Sequence, residues 1–465
     1  MRSLLRRAWL GLLLAAAAGA QTPTSSAKRP AANGKQQPNA SVQRQSTAPS
    51  RRARLPRSIL PGPTPVPDML HMPGSEVEVS LLTMGNGNEV WELFGHTAIL
   101  IRDDRSGRDT VMNWGEFDLH EPNFIPHFLK GLNRYQMGGQ TFDSLISQYT
   151  YLNRSVTEQD LDLTTTEKDS LLAMIARNAM PDSITYAYDY FIDNCATKPR
   201  DILDRVLGGR LYRATNISSG HSFRWHTLRL MGGNRPLVIG SDIGLGEPSD
   251  TTITRWGEMF LPKQLHDNLN TLQATDTTGG KHPLVARDTV LFPSTRGPEA
   301  TAPPPLGVWL LVLGLILAAI IGGLGALVTR AEPPRRALTI AAAVVLGAWT
   351  FVAGILGVLL TLLWTITDHR YAHSNENLLL FNPLWLILVV LVIVSVSTGR
   401  AWRWTRDLAV LVTTLAVVAL LAHIVGASRQ VNLPVIWLAL LPALALVWVA
   451  MRGAALGPRR TAASA

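Results

Sequence analysis

Five apolar runs of bilayer-spanning length, all of them after Pro305, constrain this chain more than any other feature of its 465 residues. They cover roughly 306–328, 338–366, 379–397, 408–424 and 433–451, the fourth being the shortest. Segments of this length and composition cross a hydrocarbon core as helices. The loops between them then test orientation. Arg330, Arg335 and Arg336 fall in one loop, Arg400, Arg403 and Arg406 in another, and Arg452, Arg459 and Arg460 in the tail, whereas the two remaining loops hold only Arg370 and Arg429. With five spans all the arginine-rich segments share one side, as positive charge does on the cytoplasmic face, and everything before Pro305 lies on the other. No charged residue falls in the middle of a span, so a transporter or proton relay lacks its usual marker.

The N-terminus agrees with export. Arg2, Arg6 and Arg7 precede an apolar run from Ala8 to Ala18 and a small-residue site at Ala18-Gly19-Ala20, the layout of a signal peptide over 1–20. Residues 21–73 are rich in Ser, Pro, Ala, Gln and Arg without helical or strand period, and read as a disordered basic linker. Through residue 73 there are eleven Lys or Arg and one Asp, a surplus of ten against nine for the whole chain. The basic pI therefore belongs to the leader and linker, and a nucleic-acid partner is not expected. The rest of the chain divides into a periplasmic domain over 74–295, a Pro-rich joint over 296–305, the membrane domain over 306–452 and a cytoplasmic tail over 453–465.

Within 74–295 the expected fold class is α+β, a small antiparallel sheet with helices packed on it. EVEVSLLTMG alternates as a strand, VWELF reads as a short helical turn, and GHTAILIRD and TVMNW form a hairpin across the polar turn DDRSGRD. The leucines between Thr157 and Ala179 suggest a helix, capped at Thr164, Thr165 or Thr166 ahead of Glu167.

Cys195 is the one cysteine of the chain. An unpaired thiol is a liability in an oxidising compartment, which favours a function over a buried inert residue. Pro199 is tolerated only in a first helical turn, so a helix begins within a few residues of Cys195. There the positive end of the helix dipole and open N–H groups are expected to lower the thiol pKa, and N–H groups near Asn194 to Ala196, beside Asp193, to hold an oxyanion. His96 opens the second strand, sharing a face with Ala98 and Leu100, and is the candidate base. Its rivals are His120 and His127 in a loop-like stretch and His221 and His226 in a Ser- and Gly-rich one. Asn113 on the partner strand can orient the imidazole if the hairpin register puts it on the face of His96; the other register favours Glu116 or Trp114. With a single cysteine, no HExxH and no Gly-rich phosphate loop, neither a metal nor a cofactor is expected.

GHTAILIRD, VMNWGEFD, GLNRY, YDYFIDNCATKPRDIL, SFR at Ser222 to Arg224 and DIGLGEPSDTTITRWGEMFLP together resemble the periplasmic domain of the Lnb-type bacterial lipoprotein N-acyltransferases, within the NlpC-type papain-like thiol superfamily. The order His, Asn, Cys is similar to its permuted branch. The resemblance implies Cys195 as nucleophile, His96 as base and Asn113 as orienting residue, with a membrane phospholipid as acyl donor and the N-terminal cysteine of a lipoprotein as acceptor, at the bacterial inner membrane. It extends to TDHRYAHSNENLLLFNPL between spans two and three, where His369, His373, Asn375 and Asn377 lie on the same side as Cys195. These four either face substrate or cap helix ends. Two other readings of the chain stand beside acyl transfer: hydrolysis by the same Cys–His pair, as a peptidase, amidase or lipid esterase, and a non-enzymatic membrane scaffold.

Overall fold

The computed structural model describes residues 68–456 except 104, 119–121, 133, 276–278 and 331–334. The expected signal peptide, nearly all of the expected basic linker and the end of the expected tail lie outside the described residues.

The N-terminal domain is built on a seven-stranded, wholly antiparallel sheet. Its strands are β1 (Val77–Met84), β2 (His96–Asp103), β3 (Asp109–Glu116), β4 (Arg134–Gln140), β5 (Val156–Leu161), β6 (Thr185–Ala187) and a late strand Val285–Phe292. The order is late strand, β5, β1, β2, β3, β4, β6. Both faces of the middle strands are covered. Leu81, Ile99, Ile101 and Trp114 pack beneath helices that include Thr165–Asn178 and Thr197–Val206, while Leu82, Ala98, Leu100 and Val111 pack with Leu145 and Tyr149 of the helix Phe142–Tyr151. Burial on both sides explains why GHTAILI reads as an almost unbroken apolar run.

The expected helix over 157–179 divides in two. Val156–Leu161 is β5, zipped between β1 and the late strand, and the helix starts only at Thr165. Leu161 and Leu163 fit either period, and two paired neighbours decide for strand. Thr164 caps the helix through a reciprocal box, its Oγ1 accepting from Glu167 N–H while the Glu167 carboxylate accepts from Thr164 N–H.

Among the described residues, five helices are long and apolar enough to cross a membrane: Leu306–Val328, Arg336–Ile366, Glu376–Thr398 with its short 3₁₀ opening, Trp402–Ile424 and Leu433–Leu456. The fourth is longer than its apolar run, because Arg403, Arg406 and Asp407 occupy a polar start ahead of it. The first helix packs along the fifth, the second along the third, and the fourth along the fifth.

The connection after the second span docks on the N-terminal domain. Asn375, 1% exposed, donates from Nδ2 to the carbonyls of Ile243 (2.9 Å) and Gly244 (3.0 Å), and Asn377, fully buried, donates to Ile243 (3.0 Å). Those carbonyls end the helix Arg235–Gly244, where no further turn exists to use them. Gln430 donates to the Leu245 carbonyl and to Asn375 Oδ1, and Asn432 Nδ2 donates to Asn377 Oδ1. From the other side Arg224 holds Asp242 and Asp250 and also donates to the carbonyls of Asp242 and Leu245.

Candidate active site

The thiol sits where three pieces of chain meet. Residues 188–196 approach the beginning of β2 and the end of β3 as a tight loop, pinned by Asp189, which accepts N–H bonds from Phe191 and Ile192 and pairs with Arg370 of the membrane connection. Phe191 is buried among Phe223, Phe260 and Tyr371, and Tyr190 packs against Phe191, so both serve packing. Tyr188 instead packs on Tyr135, ring centroids 4.3 Å apart.

The helix after the loop runs from Thr197 to Val206 with Ala196 as its N-cap and Pro199 in its first turn. Cys195 therefore lies just before the helix, and its sulfur is reached by backbone N–H groups of Thr97, Cys195 and Ala196. Asn194 is a structural pin. Its Oδ1 accepts from Ala196 N–H (2.9 Å) and Thr197 N–H (3.0 Å), and its Nδ2 donates to the carbonyls of Tyr190 and Phe260. Of the expected oxyanion donors, Ala196 N–H is shared between the sulfur and Asn194 Oδ1, and Asp193 pairs with Lys198 at 2.8 Å.

On β2, His96 precedes the Thr97 whose N–H points at the sulfur. Its Nε2 lies 3.1 Å from Asn113 Oδ1. The register pairs Ala98 with Asn113, which puts Asn113 on the face of His96 and Trp114 on the opposite one. A bulge between Trp114 and Glu116 then returns Glu116 to the Asn113 face, where its carboxylate fills the space a Cβ on Gly138 would take and burial lifts its pKa to about 7. An amide oxygen only accepts, so His96 Nε2 carries the proton and Nδ1 is left with its lone pair, the tautomer a general base requires. Gly115 makes the approach possible: its φ is +90°, and a Cβ there would lie 3.3 Å from Tyr188 Cε2 and 3.5 Å from Cys195 Cβ.

Burial, not the helix start, sets the protonation states of the pair. It lifts the Cys195 thiol to about 11, against the N–H groups and Arg154 that favour the thiolate. It drops His96 to about 4, against the bond to Asn113 and with help from Arg154. The expectation of a lowered thiol pKa is thus reversed, because a sulfur before the first turn feels only part of the dipole and loses more by leaving water. At neutral pH the pair is thiol and free imidazole.

Arg154 escaped the sequence reading, since no spacing marks it. It is 5% exposed, donates to the Gly85 carbonyl, pairs with Glu92 at 3.2 Å and lies over the Tyr149 ring. Of the rival histidines, His127 is exposed on the helix Phe124–Lys130 and His120 lies outside the described residues. His221 and His226 are engaged by Glu258, both bonding its Oε1 at 3.0 and 2.8 Å. These three form the one metal-like cluster among the described residues. Their surroundings oppose ligation: Nδ1 of His226 faces the Arg229 guanidinium at 3.5 Å, whereas a ligating imidazole needs an acceptor there.

His369 and His373 bond to backbone carbonyls of Phe128 (3.0 Å) and Thr367 (2.9 Å). His369, Asn375 and Asn377 join this loop to the N-terminal domain, and the two asparagines have the geometry of the helix-capping alternative.

Comparison with known families places both halves of the chain. Residues 71–231 match the Lnb N-terminal periplasmic domain and residues 301–453 match the Lnb transmembrane domain. No curated protein and no solved structure gave a match.

Proposed function

The chain belongs to the Lnb family, and from that premise we propose that it is a membrane-anchored lipoprotein N-acyltransferase working at the periplasmic face of the bacterial inner membrane. The observation that carries the reading is the placing of Cys195 at the Thr97 N–H, beside His96 whose Nε2 is held by Asn113. The same thiol loop rests on the connection between the second and third membrane helices, through Asp189 to Arg370.

In the proposed cycle His96 Nδ1 takes the thiol proton as sulfur attacks an ester carbonyl of a phospholipid. The Thr97 and Cys195 N–H groups receive the oxyanion, the ester C–O bond breaks, and the imidazolium returns its proton to the departing lysophospholipid oxygen. The α-amino group of a lipoprotein N-terminal cysteine then attacks the thioester. A C–N bond forms, the C–S bond breaks, and the amine's proton returns through His96 to sulfur. A thioester suits the second half because it reacts with amines more readily than the oxyester it replaced. A neutral, half-buried thiol fits this order of events, since the nucleophile forms only once a substrate carbonyl is in place. Anchoring the thiol to membrane helices keeps two membrane-bound substrates within its reach.

The test is to express the chain in cells lacking their own lipoprotein N-acyltransferase and weigh lipoprotein N-terminal peptides. One added acyl mass is expected with the wild type and none with Cys195→Ser or His96→Ala. No gain with folded wild-type protein refutes acyl transfer, and release of free fatty acid in its place points to hydrolysis.

A further inference from the structure

The short helix Phe124–Lys130 carries its apolar side chains outward. Ile125 is 52% exposed, Phe128 45% and Leu129 42%, and Leu132 just beyond is 46%. Four large apolar groups on two turns are an unusual surface for water, and nothing among the described residues covers them. Their position says what does. The second membrane helix ends at Ile366, and two residues later Asp368 N–H donates to the Lys130 carbonyl at 2.7 Å. His369 Nε2 reaches the Phe128 carbonyl, and a Cβ on Gly131 would lie 3.0 Å from Asp368 backbone. The helix is therefore stapled by its last turn to the chain leaving the membrane, next to the outward-facing Trp364 and Ile366 of that span. Lys130 is exposed at the end of this helix, and a lysine at the edge of an interfacial helix can reach a headgroup phosphate.

We propose that Phe124–Lys130 lies in the adjoining bilayer leaflet as an interfacial helix and forms the entry through which a phospholipid acyl chain reaches Cys195. Rings lead inward from it. Phe128 stacks on Phe124, Phe124 on Phe117 (5.5 Å), Phe117 on Tyr135 (4.9 Å), and Tyr135 packs on Tyr188, which borders Gly115 and the thiol. Such a run gives a hydrocarbon chain an apolar surface from the leaflet to the sulfur. The entry role rests on the acyl-transfer reading; the membrane contact does not.

Because Cys195 is the one native cysteine, the full-length Cys195→Ser chain accepts single labels. Nitroxides at Ile125→Cys and Leu129→Cys, in vesicles of phosphatidylethanolamine and phosphatidylglycerol, are expected to collide with oxygen several-fold more often than with a water-soluble nickel chelate. A label at Arg105→Cys, just past the far end of β2, should show the reverse. Chelate access at 125 and 129 equal to that at 105 overturns the membrane contact. Protection accompanied by spin–spin broadening that vanishes on dilution with unlabelled protein assigns the face to a second copy and overturns it too. The depth measurement uses a chain that cannot react, so it stands or falls apart from the chemistry. For the entry role, Phe128→Asp should lower acyl transfer from bilayer phospholipid about ten-fold or more, since a carboxylate resists the leaflet. Undiminished transfer by that variant overturns the entry role.

Discussion

His96 Nε2 and Asn113 Oδ1 face each other at 3.1 Å across two strands whose register fixes the pair. Asn113 contributes an acceptor and no charge, and its Nδ2 is buried without a partner. Replacement by Asp exchanges that unused amide nitrogen for a second carboxylate oxygen and sets a negative charge against the ring. The His96 pKa must rise, so the acid limb of the pH–rate profile of Asn113→Asp should move to higher pH. Asn113→Ala should instead keep the limb low and reduce turnover on the order of 10²-fold, the lower end of what a positioned base contributes. Identical profiles for wild type and Asn113→Asp would remove Asn113 from the base's environment.

The protonation states carry their own signature. With His96 held near 4, its free-base form persists to acid pH, and kcat/KM should fall only as pH drops toward 4, not through 6.5. In the empty enzyme, alkylation of Cys195 by iodoacetamide should accelerate only as pH climbs toward 11. Stability follows the same histidine. Between pH 6.5 and 4 the unfolded chain takes up a proton the native ring refuses, so His96's contribution is present above 6.5 and is lost as pH falls toward 4. An alkylation midpoint below pH 8 would mean that a thiolate–imidazolium pair already exists at rest.

Gly115 separates conformational from steric cost. Ala at φ +90° strains the backbone by about 1–2 kcal/mol, and the added methyl also meets Tyr188 and Cys195. Gly107, at φ +64° on the hairpin turn, has nothing within 4 Å of a Cβ. Gly107→Ala should therefore lower the thermal midpoint slightly and leave turnover intact, while Gly115→Ala should lower both. Equal turnover for the two variants would separate Gly115 from the thiol's approach.

How much of this was legible before the fold depends on what each feature rests on. Spans, strands and the helix start at Cys195 rest on local period and on where proline fits, and these read directly. Asn113 was one of two registers, and a count of residues across the 103–109 turn could not decide it. The thiol's protonation went the other way because burial is a property of the assembled loop, to which Tyr188, Tyr149 and the strand ends all contribute. Arg154 reaches the site from the turn before β5, a distance in sequence that no motif spans. The polar loop at 369–377 left substrate contact and helix capping both open, because Asn and His suit either. The Ile243 and Gly244 carbonyls that Asn375 and Asn377 reach become visible only in the fold.

That distinction can be measured. If Asn375 and Asn377 cap the helix Arg235–Gly244, removing them strands carbonyls in a buried joint, at about 1–3 kcal/mol for each bond left unmade. Asn375→Asp should be worse than Asn375→Ala, since a carboxylate cannot donate to the Ile243 and Gly244 carbonyls and is repelled by both. Both variants should lower the thermal midpoint of the protein in nanodiscs and open the joint to limited proteolysis, and turnover should fall with them. Cys195 should still react with a small alkylating reagent, because its own contacts to Thr97 and Asn113's strand lie outside the joint. A substrate-binding role predicts the opposite separation: turnover lost, midpoint and protease resistance unchanged. That outcome would return the loop to the active site, with Asp189–Arg370, Asp368–Lys130 and His369–Phe128 among the contacts that still join the domains.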